Sequence, residues 1–220
     1  MTAAIEVVYS TTNSHKKAEI EEVCRSADVT MPDGSRLPVG SVFKFEFRDG
    51  KPSEPLERDL EQMVKHKVVS AYKNLLVPCI AEHAGLIFED FATENYPGGH
   101  TQPMWDALGA EGFIAEMNGK GRRVIARAVI GYCDGLNVRC FQGETSGTLA
   151  GRPRGSRDFY WDPVFIPETE TMTYAEICAD PSKGLKRKIA LFVLRHTFRR
   201  LCPEALLPQH GHLGRVLMIA

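Results

Sequence analysis

No run of apolar residues approaches the ~20 needed to cross a bilayer as a helix, so the sequence is read without a membrane span. Charge of neither sign is in excess: 27 Lys and Arg face 28 Asp and Glu, for a formal net charge of -1. That excludes a blanket attraction to nucleic acid or to an anionic membrane, and any anion binding must come from a local basic cluster. Cysteine is present but unpatterned. Cys24, Cys79, Cys133, Cys140, Cys178 and Cys202 show no C-x-x-C or Cys/His spacing. A structural zinc site and a disulfide scaffold are therefore not expected, and reduced thiols in a cytoplasm fit best. Internal repeats and low-complexity segments are missing. Residues 1–10 lack a basic start and a long apolar stretch ending in a cleavage site, so no secretory leader is expected. What is present is ordinary globular composition, 43% hydrophobic and 25% charged over 220 residues. That suits one large domain or two small lobes with a real core.

Ile5–Ser10 is a short β-branched run and predicts a buried strand, followed by a polar turn at Thr11–Ser14 and a helix over His15–Ala27. Phe43–Arg48 alternates strictly, as a half-buried strand should. Glu57–Leu76 predicts a long helix, with Leu60, Val64, Val68 and Tyr72 on one face. Pro78–Phe91 reads as two strands joined by a turn at Ala84-Gly85, and Gln102–Asn118 as a helix. Asp134-Gly135 is a favoured turn pair and predicts a hairpin of Val124–Cys133 with Asn137–Phe141. Gly143–Arg157 reads as a flexible connection, Phe159–Pro167 as a strand and Lys186–Cys202 as a final basic helix. The mixture, without strict βαβ alternation, predicts an α/β architecture with a long mixed sheet and a cleft between two lobes.

Four segments can carry chemistry. Thr12-Asn13-Ser14-His15-Lys16 follows the first strand and opens a helix, where free backbone N–H groups, the helix dipole and a mobile lysine favour an anion. It lacks the glycines of a P-loop, and a capped helix with a solvated lysine fits the local pattern as well. Glu54 in its loop and Glu82 at a strand end can hold Mg²⁺ together with waters and phosphates, or can be surface charges. His83, beside Glu82, is a candidate base, phosphate contact or partly buried core histidine. Phe159-Tyr160-Trp161-Asp162 can stack on a planar base and accept from its ring N–H groups, or can be aromatic core packing at a sheet edge. Lys183–Lys188 is a basic cluster, for phosphate or for solvent.

In this order the segments resemble the inosine triphosphate pyrophosphatase family, hydrolases of purine nucleoside triphosphates with non-standard bases. Thr12-Asn13-x-x-Lys16-x-x-Glu19 resembles the opening T-x-N-x-x-K-x-x-E motif, and Lys67 the lysine of the long second helix. Ala81–Leu86 sits where the family has E-D-[ST]-G-L. Pro97-Gly98-Gly99, Trp105 and Glu111-Gly112-Phe113 resemble a stretch of the eukaryotic members. Pro153–Pro167 is similar to P-R-G-x-x-x-F-G-[YW]-D-P-x-F-x-P, and Thr173–Glu176 to the T-[MY]-A-E step.

The resemblance implies a single domain over residues 1–220: a long twisted mixed sheet, helices on two lobes and a nucleotide in the central cleft, usually in a cytoplasmic homodimer. It implies that a nucleoside triphosphate and water give the monophosphate and pyrophosphate, with Mg²⁺. Thr12, Asn13, Lys16, Lys67 and Lys183 would then contact phosphates, Glu54 and Glu82 would hold metal, and Phe159, Trp161 and Asp162 would cradle the base. Arg187 would read the purine's 6-oxo group. Lys16, Glu82 and His83 form the catalytic set. The chain departs from the pattern at His83, where the family has Asp, at Ala84 for Ser/Thr and at Tyr160 for Gly. Glu57 rivals Glu54 as the loop carboxylate, and Glu82, Glu89 or Asp90 can compensate for the missing Asp. His83 keeps open an alternative: a nucleotide-binding relative with impaired turnover.

Overall fold

The computed structural model describes residues 4–31, 33–116 and 121–184. They form, in chain order, β1 (Ile5–Ser10), α1 (Ser14–Ser26), β2 (Asp28–Thr30), β3 (Arg36–Pro38), α2 (Val39–Val42), β4 (Phe43–Arg48), α3 (Leu60–Leu75), β5 (Cys79–Phe88), α4 (Thr101–Glu116), β6 (Arg123–Cys133), β7 (Val138–Leu149), β8 (Phe165–Pro167) and α5 (Tyr174–Ala179). Six strands make one mixed sheet in the order β4-β1-β5-β6-β7-β8, and β2 and β3 pair separately. β1 runs parallel to β4 and β5, and the strands from β5 to β8 alternate in direction.

Register places the site. Val8 and Tyr9 of β1 face Cys79 and Ile80 of β5. β5 therefore continues past the end of β1, carrying Glu82 and His83 alongside the turn that opens α1. The same strand links two apolar clusters. Ile80 packs with Val7, Ile20, Val23 and Phe43, whereas Leu86 and Phe88 pack with Phe113, Trp161, Phe165 and Tyr174. Glu82 and His83 lie at the passage between the clusters.

β1 and β4 have the boundaries read from their patterns, and the Asp134-Gly135 hairpin is present. Three expectations are corrected. The turn at Ala84-Gly85 does not exist, because β5 is continuous and pairs with β6 along its whole length. A Cβ on Gly85 would lie 2.3 Å from the Gly98 carbonyl oxygen, so that glycine serves a close backbone approach instead. Gly143–Leu149, expected to be flexible, is the second half of β7, where β6 pairs the backbone of small and polar residues. The strand expected over Phe159–Pro167 shrinks to Phe165–Pro167, since Tyr160 takes a left-handed φ of 34° that breaks an extended run. The α4 helix starts at Thr101 and bends at Gly109, whose φ is 65°. The helix expected over Lys186–Cys202 lies outside the described residues. Among the described residues no helix is long and apolar enough to cross a membrane.

Candidate active site

Asn13 caps α1. Its Oδ1 accepts from the N–H groups of His15 at 2.9 Å and Lys16 at 3.2 Å, which fixes the first turn and aims Lys16 at β5. Lys16 Nζ lies 2.6 Å from Glu82 Oε2 and donates to the Glu82 carbonyl oxygen at 3.3 Å. The Tyr9 hydroxyl donates to the same carboxylate oxygen at 3.3 Å. Burial pulls the Lys16 ammonium down, but Glu82, Glu54 and Glu19 outweigh it and leave its pKa above the ordinary lysine value. Burial, then the charge of Glu82, raise the Tyr9 phenol well above its usual range, so it stays a donor.

The buried inner face of α3 supplies Lys67, which is ion-paired with Glu54. The second oxygen of Glu54 is 3.8 Å from His83 Nδ1. Burial and the nearby Lys16 lower the Lys67 pKa despite Glu54. Burial, then the positive charges of Lys67 and Lys16, hold His83 well below the ordinary imidazole range, so it is neutral at pH 7. His83 Nε2 is buried and has no hydrogen-bond partner among the described residues. The rival carboxylates are engaged elsewhere. Glu57 accepts from the Asp59 N–H, Glu89 pairs with Arg123 at 2.5 Å, and Asp90 accepts from the Gly121 N–H at 2.7 Å.

One cleft runs from Lys16, Glu82 and His83 to Phe159, Trp161 and Asp162, with Glu19, Ala84, Gln102 and Tyr160 completing its walls. A second pocket lies across His83 and Gln102 and is walled by Glu54, Met63 and Asp106. The aromatic loop is held from behind. Trp161 packs edge-on against Phe165 at 5.7 Å between ring centres. The Asp162 carbonyl accepts from Ala175 N–H in the first turn of α5, a helix closed by a capping box between Thr173 and Glu176. Aromatic core packing and a slot for a ring are therefore properties of the same residues. Phe159 also meets His15, with ring centres 4.7 Å apart. That contact joins the loop to the start of α1.

Several expected residues sit away from these walls. Thr12 is exposed in the turn before α1. Lys183 Nζ is 2.7 Å from Glu170 and takes no part in the cleft lining. Arg187 lies outside the described residues. Sequence reasoning missed Tyr9 and Gln102: the first looked like any strand aromatic, and the second carried no signal in the sequence.

Residues 7–194 match the model of the Ham1 family. The chain belongs to the Ham1 family. Among its relatives, a dITP/XTP pyrophosphatase of Hyperthermus butylicus is 32% identical over 172 residues, covering 78% of this chain and 82% of that one. An inosine triphosphate pyrophosphatase of Puccinia graminis is 28% identical over 200 residues, 90% of this chain and 98% of its own. A HAM1 protein from Coxiella burnetii has the same fold, with a TM-score of 0.64 at 21% identity over 89% of this chain and 94% of that one. The resemblance read from the motifs is thus borne out by family.

The donor set of this Ham1-family chain limits the metal it can take. Among the described residues no three or more His, Cys, Asp or Glu side chains form a group able to hold an ion. Glu54 and Glu82 are two carboxylates, each already opposite a lysine. That suits a hard cation that takes one or two carboxylates and completes its shell with water and substrate phosphates.

Proposed function

We propose that the chain is a nucleoside triphosphate pyrophosphatase that converts purine triphosphates with non-standard bases, such as ITP, dITP and XTP, to the monophosphate and pyrophosphate. The observation that carries this reading is the single cleft. The Lys16 end and the Trp161 end wall one space, so one molecule can reach both. The relatives' names supply the substrate class.

In this reading Lys16 and Lys67 bind the phosphates, and the Asn13 cap holds Lys16 in the first turn of α1. Phe159, Trp161 and Asp162 cradle the base, with the Asp162 carboxylate accepting from a ring N–H. Glu54 and Glu82 would hold Mg²⁺, which when bound neutralises charge developing on the phosphates. His83 is the base. The Glu54 carboxylate near Nδ1 favours the tautomer with its proton there, which leaves the Nε2 lone pair to accept a proton from the attacking water. A homodimer, a cytoplasmic location and a single domain of two lobes complete the reading.

Pyrophosphate release from ITP, dITP, XTP and the common triphosphates with Mg²⁺ tests the proposal. Turnover of the first three is expected. His83→Ala is expected to lower kcat about 10²–10⁴-fold, the range for a general base. Absence of turnover across the whole panel, with nucleotide binding retained, would instead establish a binding protein.

A further inference from the structure

Tyr160 stands out in the cleft wall for two independent reasons. Its φ of 34° is a conformation that side-chain-bearing residues rarely adopt, yet it carries a large ring. Its hydroxyl also accepts a hydrogen bond at 3.0 Å from Gln102 Nε2, on α4, so two segments far apart in the chain meet over the slot. Both residues wall the space that also holds Trp161 and Asp162.

We infer that Tyr160, oriented by Gln102, is a specificity-determining residue that donates a hydrogen bond to a keto oxygen on the bound base. This rests on the function proposed above and names the group that selects the base. With Gln102 donating to the phenol oxygen, the phenol keeps its own proton, which has no acceptor among the described residues. The slot therefore offers a donor at Tyr160 and acceptor oxygens on the Asp162 carboxylate. A 6-oxopurine edge presents the complement, a keto oxygen beside a ring N–H. An adenine edge reverses both, placing an amino donor against the Tyr160 proton and a bare ring nitrogen against the carboxylate. A polar group left facing a mismatched partner is what rejects the wrong base.

Titration calorimetry with inosine and adenosine monophosphates, which hold no pyrophosphate to release, tests the inference without turnover. The wild-type chain is expected to bind the inosine form more tightly. Tyr160→Phe keeps the ring and removes the proton; it is expected to weaken inosine monophosphate about tenfold, one hydrogen bond's worth, and leave adenosine monophosphate nearly unchanged. Gln102→Leu frees the phenol and is expected to narrow the same ratio, with thermal melts verifying that both variants fold. An unchanged ratio in Tyr160→Phe overturns the inference, as does a wild-type chain that prefers the adenosine form or binds neither. Pyrophosphate release from ITP, measured alongside, separates the two readings: turnover with an unchanged ratio sinks only the role of Tyr160, and a shifted ratio without turnover sinks only the catalysis.

Discussion

The two lysine–glutamate pairs beside His83 are a set of coupled charges. Lys16 and Glu82 are both largely buried and 2.6 Å apart, so removing one strands the other in a poor solvent for charge. Lys16→Met is expected to cost about 3 kcal/mol in denaturant unfolding, as for other buried pairs broken from one side. The double variant Lys16→Met with Glu82→Gln removes both charges and is expected to recover most of that stability while showing no pyrophosphate release. Recovery of turnover in the double variant would remove both residues from the mechanism. His83 stands beside both pairs, where the related motif has an aspartate. Burial, then the positive charges of Lys67 and Lys16, keep its imidazole neutral.

Among the elements, β5 carries the most because its neighbours reach it closely. A methyl group at Gly85 would meet the Gly98 carbonyl at 2.3 Å and Thr101 Oγ1 at 2.8 Å. That hydroxyl accepts from the Leu86 N–H and donates to the Gly98 carbonyl, tying the start of α4 to the strand. Gly85→Ala is expected to lower the thermal midpoint by several degrees and, by displacing Gln102 at the start of α4, to raise KM for ITP. An unaltered midpoint would mean that the loop yields freely. The same strand shows what a pattern can and cannot tell. β1 and β4 were legible because their side chains alternate or branch at Cβ. β5 was misread because a glycine that admits another backbone has the same letter as one that turns. The second half of β7 was missed because its glycines, serine and threonines are held by β6, not by their own propensity. Aromatic residues at 159–161 favour strands, but nothing in those letters reveals the left-handed Tyr160.

At the scale of the molecule, the chemistry was legible as types and order, and the pairing was not. Asn13, Lys16, Lys67, Glu54, Glu82 and His83 were identified from spacing and resemblance, but which lysine faces which glutamate depends on how β5 overruns β1. Folding and metal binding should also separate. No described cluster is arranged to need an ion, and Glu54 and Glu82 each already face a lysine. Chelation is therefore expected to abolish pyrophosphate release while leaving the melting temperature of the ligand-free protein unchanged. A fall of several degrees would reveal a structural ion. Adding ITP with Mg²⁺ should raise that temperature with ligand concentration, by mass action.

Neither Lys16 nor Lys67 stands bare. Each already has a carboxylate, so the four charges cancel and the resting site holds little net attraction for a passing anion. A visitor must outbid the tethered glutamates, which a single small oxyanion does poorly and a chain of linked phosphates, drawing on both ammonium groups together, does well. Internal cancellation is thus expected to act as a filter, with sulfate and orthophosphate binding weakly and a longer polyanion more tightly in titration calorimetry.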